Sequence, residues 1–347
     1  MLLLLSAIIA MTTPLHRVAV VGGTHGNEFT GIYILEKMRL RAAELAAEHP
    51  SLAIETVFAN PAAHAANRRF IDDDLNRQFV AESLAAELPA DAACFEARRA
   101  REIDALIGPK GSEAAASVCI DMHTTTANMG CTIIVSASSS LAVRAAAYVH
   151  AHWEAECAAD DVARSESDRI HHPLRVLVEQ GTQDAAGHLA SVATDGVEIE
   201  VGPTPQGVVR ADVVASTERA LRLLLRFLEL QFSGVSVPLP ESVPAYEVLA
   251  KVPFVDGALE GCDDSLLPGA VVAPSLQDAD FSPLHEGEPL FEALNGTVVT
   301  YDGSLGDPVY PVFINEAAYY YRESGRGVGM SRRVDEWPVE LEGPHSD

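Results

Sequence analysis

The 347-residue chain predicts an α/β fold: a mixed, largely parallel sheet flanked by helices, followed by a smaller, mostly β domain. Three observations carry this. Short apolar runs alternate with Ala- and Leu-rich helical stretches through the first two thirds of the chain. A Pro/Ser-rich connector then intervenes. Beyond it come short β-type runs broken by Gly, Pro and Asp.

Taken in order, RVAVVGG (17–23) and AIETVFAN (53–60) have the apolar, β-branched texture of buried strands, as do SVCIDMHT (117–124) and TIIVSAS (132–138). Between them, 29–47 and 94–107 are rich in helix formers. RALRLLLRFLELQF (219–232) has the pattern of a closing helix. The connector SGVSVPLPESVP starts at 233, and YEVLAKVPF, GAVVAP and TVVTY follow as strands of the second domain. These shifts divide the chain into a catalytic domain at 11–232 and a β domain at 233–322, with a polar, unpatterned and loose tail at 323–347. The first ten residues, MLLLLSAIIA, have no preceding positive charge and no cleavage site; with Met11 directly after them, 1–10 reads as an extension from an upstream start codon. A signal or anchor is the alternative.

Composition narrows the function. Fifty acidic against 24 basic residues, only three of them lysine (Lys37, Lys110, Lys251), give a net charge of -26. Such a surface repels nucleic-acid phosphates and acidic membranes, so neither is an expected partner. An anionic small molecule would need arginines placed locally in its pocket. The five cysteines (Cys94, Cys119, Cys131, Cys157, Cys262) show no C-x-x-C spacing, which points away from a disulfide framework or thiolate zinc site and toward a reducing, cytoplasmic setting.

Candidate chemistry begins at the end of the first strand, where Gly22 and Gly23 allow a sharp turn. His25 and Glu28 follow, and a spacing of three lets both approach one ion. A capping glutamate beside an exposed histidine is the competing reading. His123, just after another strand, offers a third ligand at the same sheet edge. Two histidines and a carboxylate with an open fourth position are the donors of a catalytic zinc site. His150 and His152 sit in a helical stretch and His171 and His172 before a proline, and both pairs read as surface.

NRRFIDDDLNRQF packs Asn67, Arg68, Arg69, Asn76 and Arg77 into eleven positions. Guanidinium forks bind carboxylates bidentately, although pairing with residues 72–74 is an equal alternative. GVEIEVGPTPQG alternates, placing Val197, Ile199 and Val201 on one face and Glu198 and Glu200 on the other. Glu200, at a strand end, suits a general base for a hydrolytic water; Glu198 reads as an exposed acidic face.

Five stretches, GGTHGNE, IDDDLNR, DMHTTTANMGC, EVGPTPQGVVRAD and VYPVFINEAAYY, fall in order from Gly22 to Tyr320 and together closely resemble the aspartoacylase family. The resemblance implies a zinc-carboxypeptidase-like fold and one Zn2+ per chain on His25, Glu28 and His123. It implies that Asn76 and Arg77 hold the substrate's α-carboxylate, that Arg69 polarises the scissile carbonyl, and that Glu200 is the catalytic glutamate. Tyr319 matches a tyrosine that reaches the pocket from the C-terminal domain. The implied reaction is hydrolysis of a small N-acyl-L-amino acid to a carboxylate and a free amino acid. Homodimers are common among such relatives.

One departure bears on specificity. The arginine that binds an aspartate side chain in this family lies about ten residues before the catalytic glutamate, where this chain has Ala190. Ala186 stands where a pocket tyrosine is expected, and Arg175 could substitute only with a shifted loop register. The missing charge pulls from N-acetyl-L-aspartate toward N-acetyl aromatic or apolar amino acids. The alternatives are hydrolysis of N-succinyl amino acids or peptides, and a non-catalytic zinc-containing binding protein.

Overall fold

Val18, Ala19, Val20 and Val21 are all buried, so β1 (His16–Gly22) lies inside the sheet and is covered on both faces. In the computed structural model, residues 15–85, 94–161, 172–254, 268–320 and 326–339 are described. The extension at 1–10, His171, Cys262, residues 323–325 and residues 340–347 lie outside them.

The order after β1 is α1 (Phe29–Leu40), α2 (Ala42–Glu48), β2 (Leu52–Phe58), α3 (Pro61–Ala65), α4 (Ala81–Ala85) and α5 (Phe95–Ile107). Then come β3 (Val118–Thr124), β4 (Gly130–Ser136), α6 (Ser140–Asp161), β5 (Leu174–Glu179), β6 (Asp195–Gly202) and α7 (Ala211–Phe232). The remainder is β7 (Ser242–Val252), β8 (Ala270–Val272), β9 (Pro289–Ala293), β10 (Val298–Thr300), β11 (Tyr310–Val312) and β12 (Val328–Pro338). A nine-stranded mixed sheet runs β11-β12-β7-β5-β4-β6-β3-β1-β2, and β10-β9-β8 form a separate three-stranded sheet.

Strand alternation sorts the two sides of the large sheet. Val18 and Val20 join α1, α6 and α7 in one apolar cluster, while Ala19 and Val21 join Leu75, Phe79 and the α5 residues Ala100, Ile103 and Ile107 in another. β2, β1, β3 and β6 are mutually parallel, so their C-terminal ends share one edge. That edge is where loops gather side chains in such sheets. Gly22 has a packing reason as well as a turning one: a Cβ there would lie 2.6 Å from the carbonyl carbon of Gly31, and Gly23 holds φ at +71°.

One expectation about the C-terminal third is corrected. The stretch at 323–347 is not loose throughout: β12 pairs antiparallel with β7 over most of its length. It lacked a pattern because bulges between Met330 and Ser331 and between Val334 and Trp337 break the period of two. The smaller β-rich domain after 233 is present, and among the described residues its strands share the large sheet as well as forming one of their own. β7 pairs parallel with β5, and β12 and β11 extend the same sheet, so only β8, β9 and β10 form a sheet of their own.

Candidate metal centre and active site

β1, β3 and β6 end together, and the site stands on their ends. His25 and Glu28 lie in the loop after β1, His123 is on β3, and Glu200 on β6 is in direct register with His123. His25, Glu28 and His123 are all buried. His25 Nδ1 is 2.6 Å from Glu28 Oε1, and His123 Nδ1 is 3.1 Å from Glu28 Oε2 and 3.2 Å from His25 Nδ1.

The outer nitrogens are also engaged. His25 Nε2 meets Asp74 Oδ1 at 3.2 Å, and His123 Nε2 meets Asp121 Oδ2 at 2.9 Å. Thr24 Oγ1 donates to both oxygens of Asp121. Carboxylates accept, so each Nε2 donates outward and each Nδ1 turns inward, the arrangement that orients histidine ligands. Two inward nitrogens and a carboxylate converging in a buried space call for a cation. Consistently, burial lowers the His123 imidazole, yet Asp121 and Glu28 outweigh it and hold it well above its ordinary range. Burial likewise raises Glu28, but His25 and His123 outweigh it and hold that carboxyl well below the usual carboxylate range. The donor set of two imidazoles and one glutamate fits zinc.

Asp121, His123 and Glu198 also lie close enough to suggest a second cluster. There Asp121 is committed to Thr24 and to orienting His123, so it serves the first site.

Above the ligands is a pocket of about 310 Å³ that includes Arg69, Asn76, Arg77, Glu200 and Tyr319. Both readings of the arginine-rich stretch coexist: Arg69 enters the pocket and also pairs with Asp74, at 3.2 Å from Nη2. Its Nη1 lies 3.4 Å from Glu28 and 3.8 Å from Glu316. Asn67 and Arg68 do not line the pocket. Asn76 Oδ1 accepts from the Leu189 backbone N–H at 2.7 Å, which leaves its amide nitrogen free to donate. Burial pushes the Glu200 carboxyl well above its ordinary range; His123 opposes this, while Glu28 and Glu316 add to it. Tyr319, buried in the turn Ala317–Tyr320, stays a neutral phenol because burial raises its pKa.

Sequence reasoning missed four supports. Asp121 is two residues before His123 and therefore on the same strand face, a signal that period two could have exposed. Asp74 sits inside IDDDLNR. Glu316, inside the stretch 309–320, bonds Thr125 Oγ1 and the Thr126 backbone N–H, tying the C-terminal segment to the loop after β3. Glu96 left no sequence signal: it is fully buried on α5 and accepts from the backbone N–H groups of Ile71, Asp72 and Asp73 and from Asn60 Nδ2. It thereby holds the loop that carries Arg69, Asn76 and Arg77. Glu96→Ala strands these donors and should lower unfolding stability by about 2 kcal/mol or more. Glu96→Gln should fall between. Denaturant midpoints equal to the parent's would contradict this role.

The structure bears on three sequence readings near the pocket. Ala190 is completely buried among Leu75, Phe79 and Ile103, and it does not line the pocket. The turn Leu189–Val192 packs down onto that apolar cluster, so the wall facing the pocket is Ala186, Gly187 and His188. Arg175 is no substitute cation, because its guanidinium lies over the Phe281 ring at 4.7 Å and outside the pocket lining. Glu198 is not an exposed strand face; its side chain is 15% exposed, lines the pocket and stands 3.1 Å from His188 Nδ1.

A mixed α/β sheet carrying a His-Glu-His cluster, an arginine and a buried glutamate at one strand edge defines an amide-hydrolase site. The chain belongs to the succinylglutamate desuccinylase/aspartoacylase family: that family's catalytic-domain model matches residues 14–228, and its barrel-sandwich hybrid domain matches 243–325. It is 38% identical over 312 residues to the N-acyl-aromatic-L-amino acid amidohydrolase (carboxylate-forming) of Homo sapiens, covering 88% of each chain. It is 36% identical over 310 residues to the aspartoacylase of Rattus norvegicus, covering 89% of this chain and 91% of that one. The crystal structure of murine aminoacylase 3 superposes with a TM-score of 0.77 at 36% identity, covering 93% and 96% of the two chains.

Proposed function

We propose that this protein is a zinc-dependent deacylase of N-acyl-L-amino acids, releasing a carboxylate and a free amino acid. The observation that carries the reading is the convergence of the buried His25–Glu28–His123 donors with Arg69 and Glu200 in one pocket. Related chains that share most of its length are amidohydrolases of this substrate class. They differ in the amino acid named and match about equally well, so they do not choose a side chain.

Zinc held by the three ligands would supply Lewis-acid polarisation and favour an ionised water. The chain's own groups do the rest. Asn76, through its amide nitrogen, and Arg77 bind the α-carboxylate and set the amide bond over the cluster. Arg69 donates to the carbonyl oxygen as negative charge develops there. Glu200, destabilised as an anion by burial, takes a proton from the attacking water and returns it to the leaving nitrogen. Tyr319, Phe313 and Glu316 close the pocket from the C-terminal segment. Cys94, Cys119, Cys131 and Cys157 form no disulfide among the described residues, which favours a cytoplasmic setting.

Purified protein supplied with zinc should release primary amine from a panel of N-acetyl-L-amino acids. A chelator should abolish that release and added zinc should restore it. No hydrolysis of any member, or hydrolysis indifferent to chelation, would refute the proposal.

A further inference from the structure

The pocket runs along β6 away from the ligand cluster. Glu198 precedes Glu200 by two residues on the same face, about 7 Å further along the strand, in register with Asp121 of β3 and Ile134 of β4. Glu179, at the end of β5 and in register with Ser136, lies beyond it. This end also holds the carboxylate anchors. Asn76 accepts from Leu189, the residue after His188, and His188 stands against Glu198. The amino-acid half of an N-acyl amino acid anchored on Asn76 and Arg77 is thereby laid over Glu198.

Resting on the deacylase reading, we propose that Glu198, held by His188, is a specificity-determining residue. It selects N-acyl amino acids whose side chain donates a hydrogen bond (amide, hydroxyl or ammonium) over those bearing a carboxylate or an aromatic ring.

Three features support this choice. First, Glu198 Oε1 is buried 3.1 Å from His188 Nδ1, which fixes the carboxylate, while the rest of the side chain, 15% exposed, lines the pocket. A carboxylate fixed on the pocket wall favours a ligand that brings a donor. Second, carboxylates outnumber lysine at this end of the pocket. Glu179, Glu198 and Lys251 line it together, and Arg69 pairs with Asp74, Glu28 and Glu316. Arg77 and Arg326 line the same pocket and suit the α-carboxylate that every substrate shares. A second substrate carboxylate would meet two carboxylates, Glu198 and Glu179, against one lysine and be repelled. Third, an aromatic ring would strip water from Glu198, His188 and Glu179 without offering a donor in return.

The test compares kcat/KM for the N-acetyl derivatives of L-glutamine, L-methionine, L-aspartate and L-phenylalanine, and for Nα-acetyl-L-lysine. Glutamine and methionine are similar in length and differ in donors. The parent protein should favour the glutamine derivative over the methionine derivative by about tenfold or more, and over the aspartate and phenylalanine derivatives as well. Glu198→Leu should collapse the glutamine-to-methionine ratio toward one or below. Glu198→Gln keeps shape and an acceptor, so it should retain that ratio while losing any advantage of lysine over glutamine. A parent preference for aspartate or phenylalanine, or a ratio unmoved in Glu198→Leu, overturns the proposal. Should Glu198→Leu fail to fold by circular dichroism, the lysine-to-glutamine ratio of Glu198→Gln decides. Absence of turnover on every derivative overturns the deacylase reading itself, a different result from turnover with an unchanged ratio.

Discussion

Glu200→Gln is expected to reduce kcat by about a thousandfold while leaving the zinc content of the protein unchanged. A positioned proton acceptor contributes on the order of 10²–10⁴ in rate, and Gln keeps the shape while removing the basic oxygen. Glu200 is not one of the three ligands, although it is in register with His123 and in the same pocket. Its Oε1 is buried without a hydrogen-bond partner from the protein. An amide there relieves the cost of burying a carboxylate, so the unfolding midpoint should stay level or rise. Three readouts check this together: steady-state kinetics, metal analysis and a denaturant melt. Undiminished turnover would remove Glu200 from the mechanism. Lost turnover together with lost zinc would mean that it acts by supporting the ligands instead.

Arg69→Ala should be costly twice over. Arg69 is 6% exposed and is the cation shared by Asp74, Glu28 and Glu316. Removing one partner of a buried charge cluster costs about 3–5 kcal/mol, because the remaining charges lose their compensation. Activity should also fall by about 10²–10³, the usual loss on deleting one donor to a developing oxyanion. Arg69→Lys separates the two effects. A lysine restores charge and much of the stability, but its point charge cannot donate from a planar fork to Asp74 and a carbonyl at once. Stability near the parent value with a large kcat deficit is therefore expected for Arg69→Lys. Parent-like kcat would show that charge alone suffices there.

The two sides of the site were unequally visible in the sequence. His25, Glu28 and His123 were legible because each follows a short apolar run, and parallel strands put their C-terminal ends on one edge. Arg69, Asn76 and Arg77 were legible as basic and amide groups crowded into an acidic chain. Glu198 was misread because alternation tells which residues share a face but not whether that face is open or covered. Residues 186–188, residues within 313–319 and Arg326 line the same pocket, and the last two groups are far from β6 in the chain. β12 was missed because its bulges erase the period that marks a strand. Glu96 gave no signal, since a glutamate on a helix looks solvated until a loop's N–H groups are seen to converge on it.

By itself the sequence determined the alternating strands and helices, the glycine turn after β1 and the three ligands at strand ends. These depend on local periodicity, backbone freedom and spacing, which neighbouring residues set. Tertiary structure alone decided that Asp74 and Asp121 turn the two histidines inward, that Ala190 faces the core, and that Glu198 with His188 lines the pocket. Those outcomes depend on which distant segments pack over one sheet face, because burial and pairing across it are properties of the folded surroundings and not of the residues in isolation.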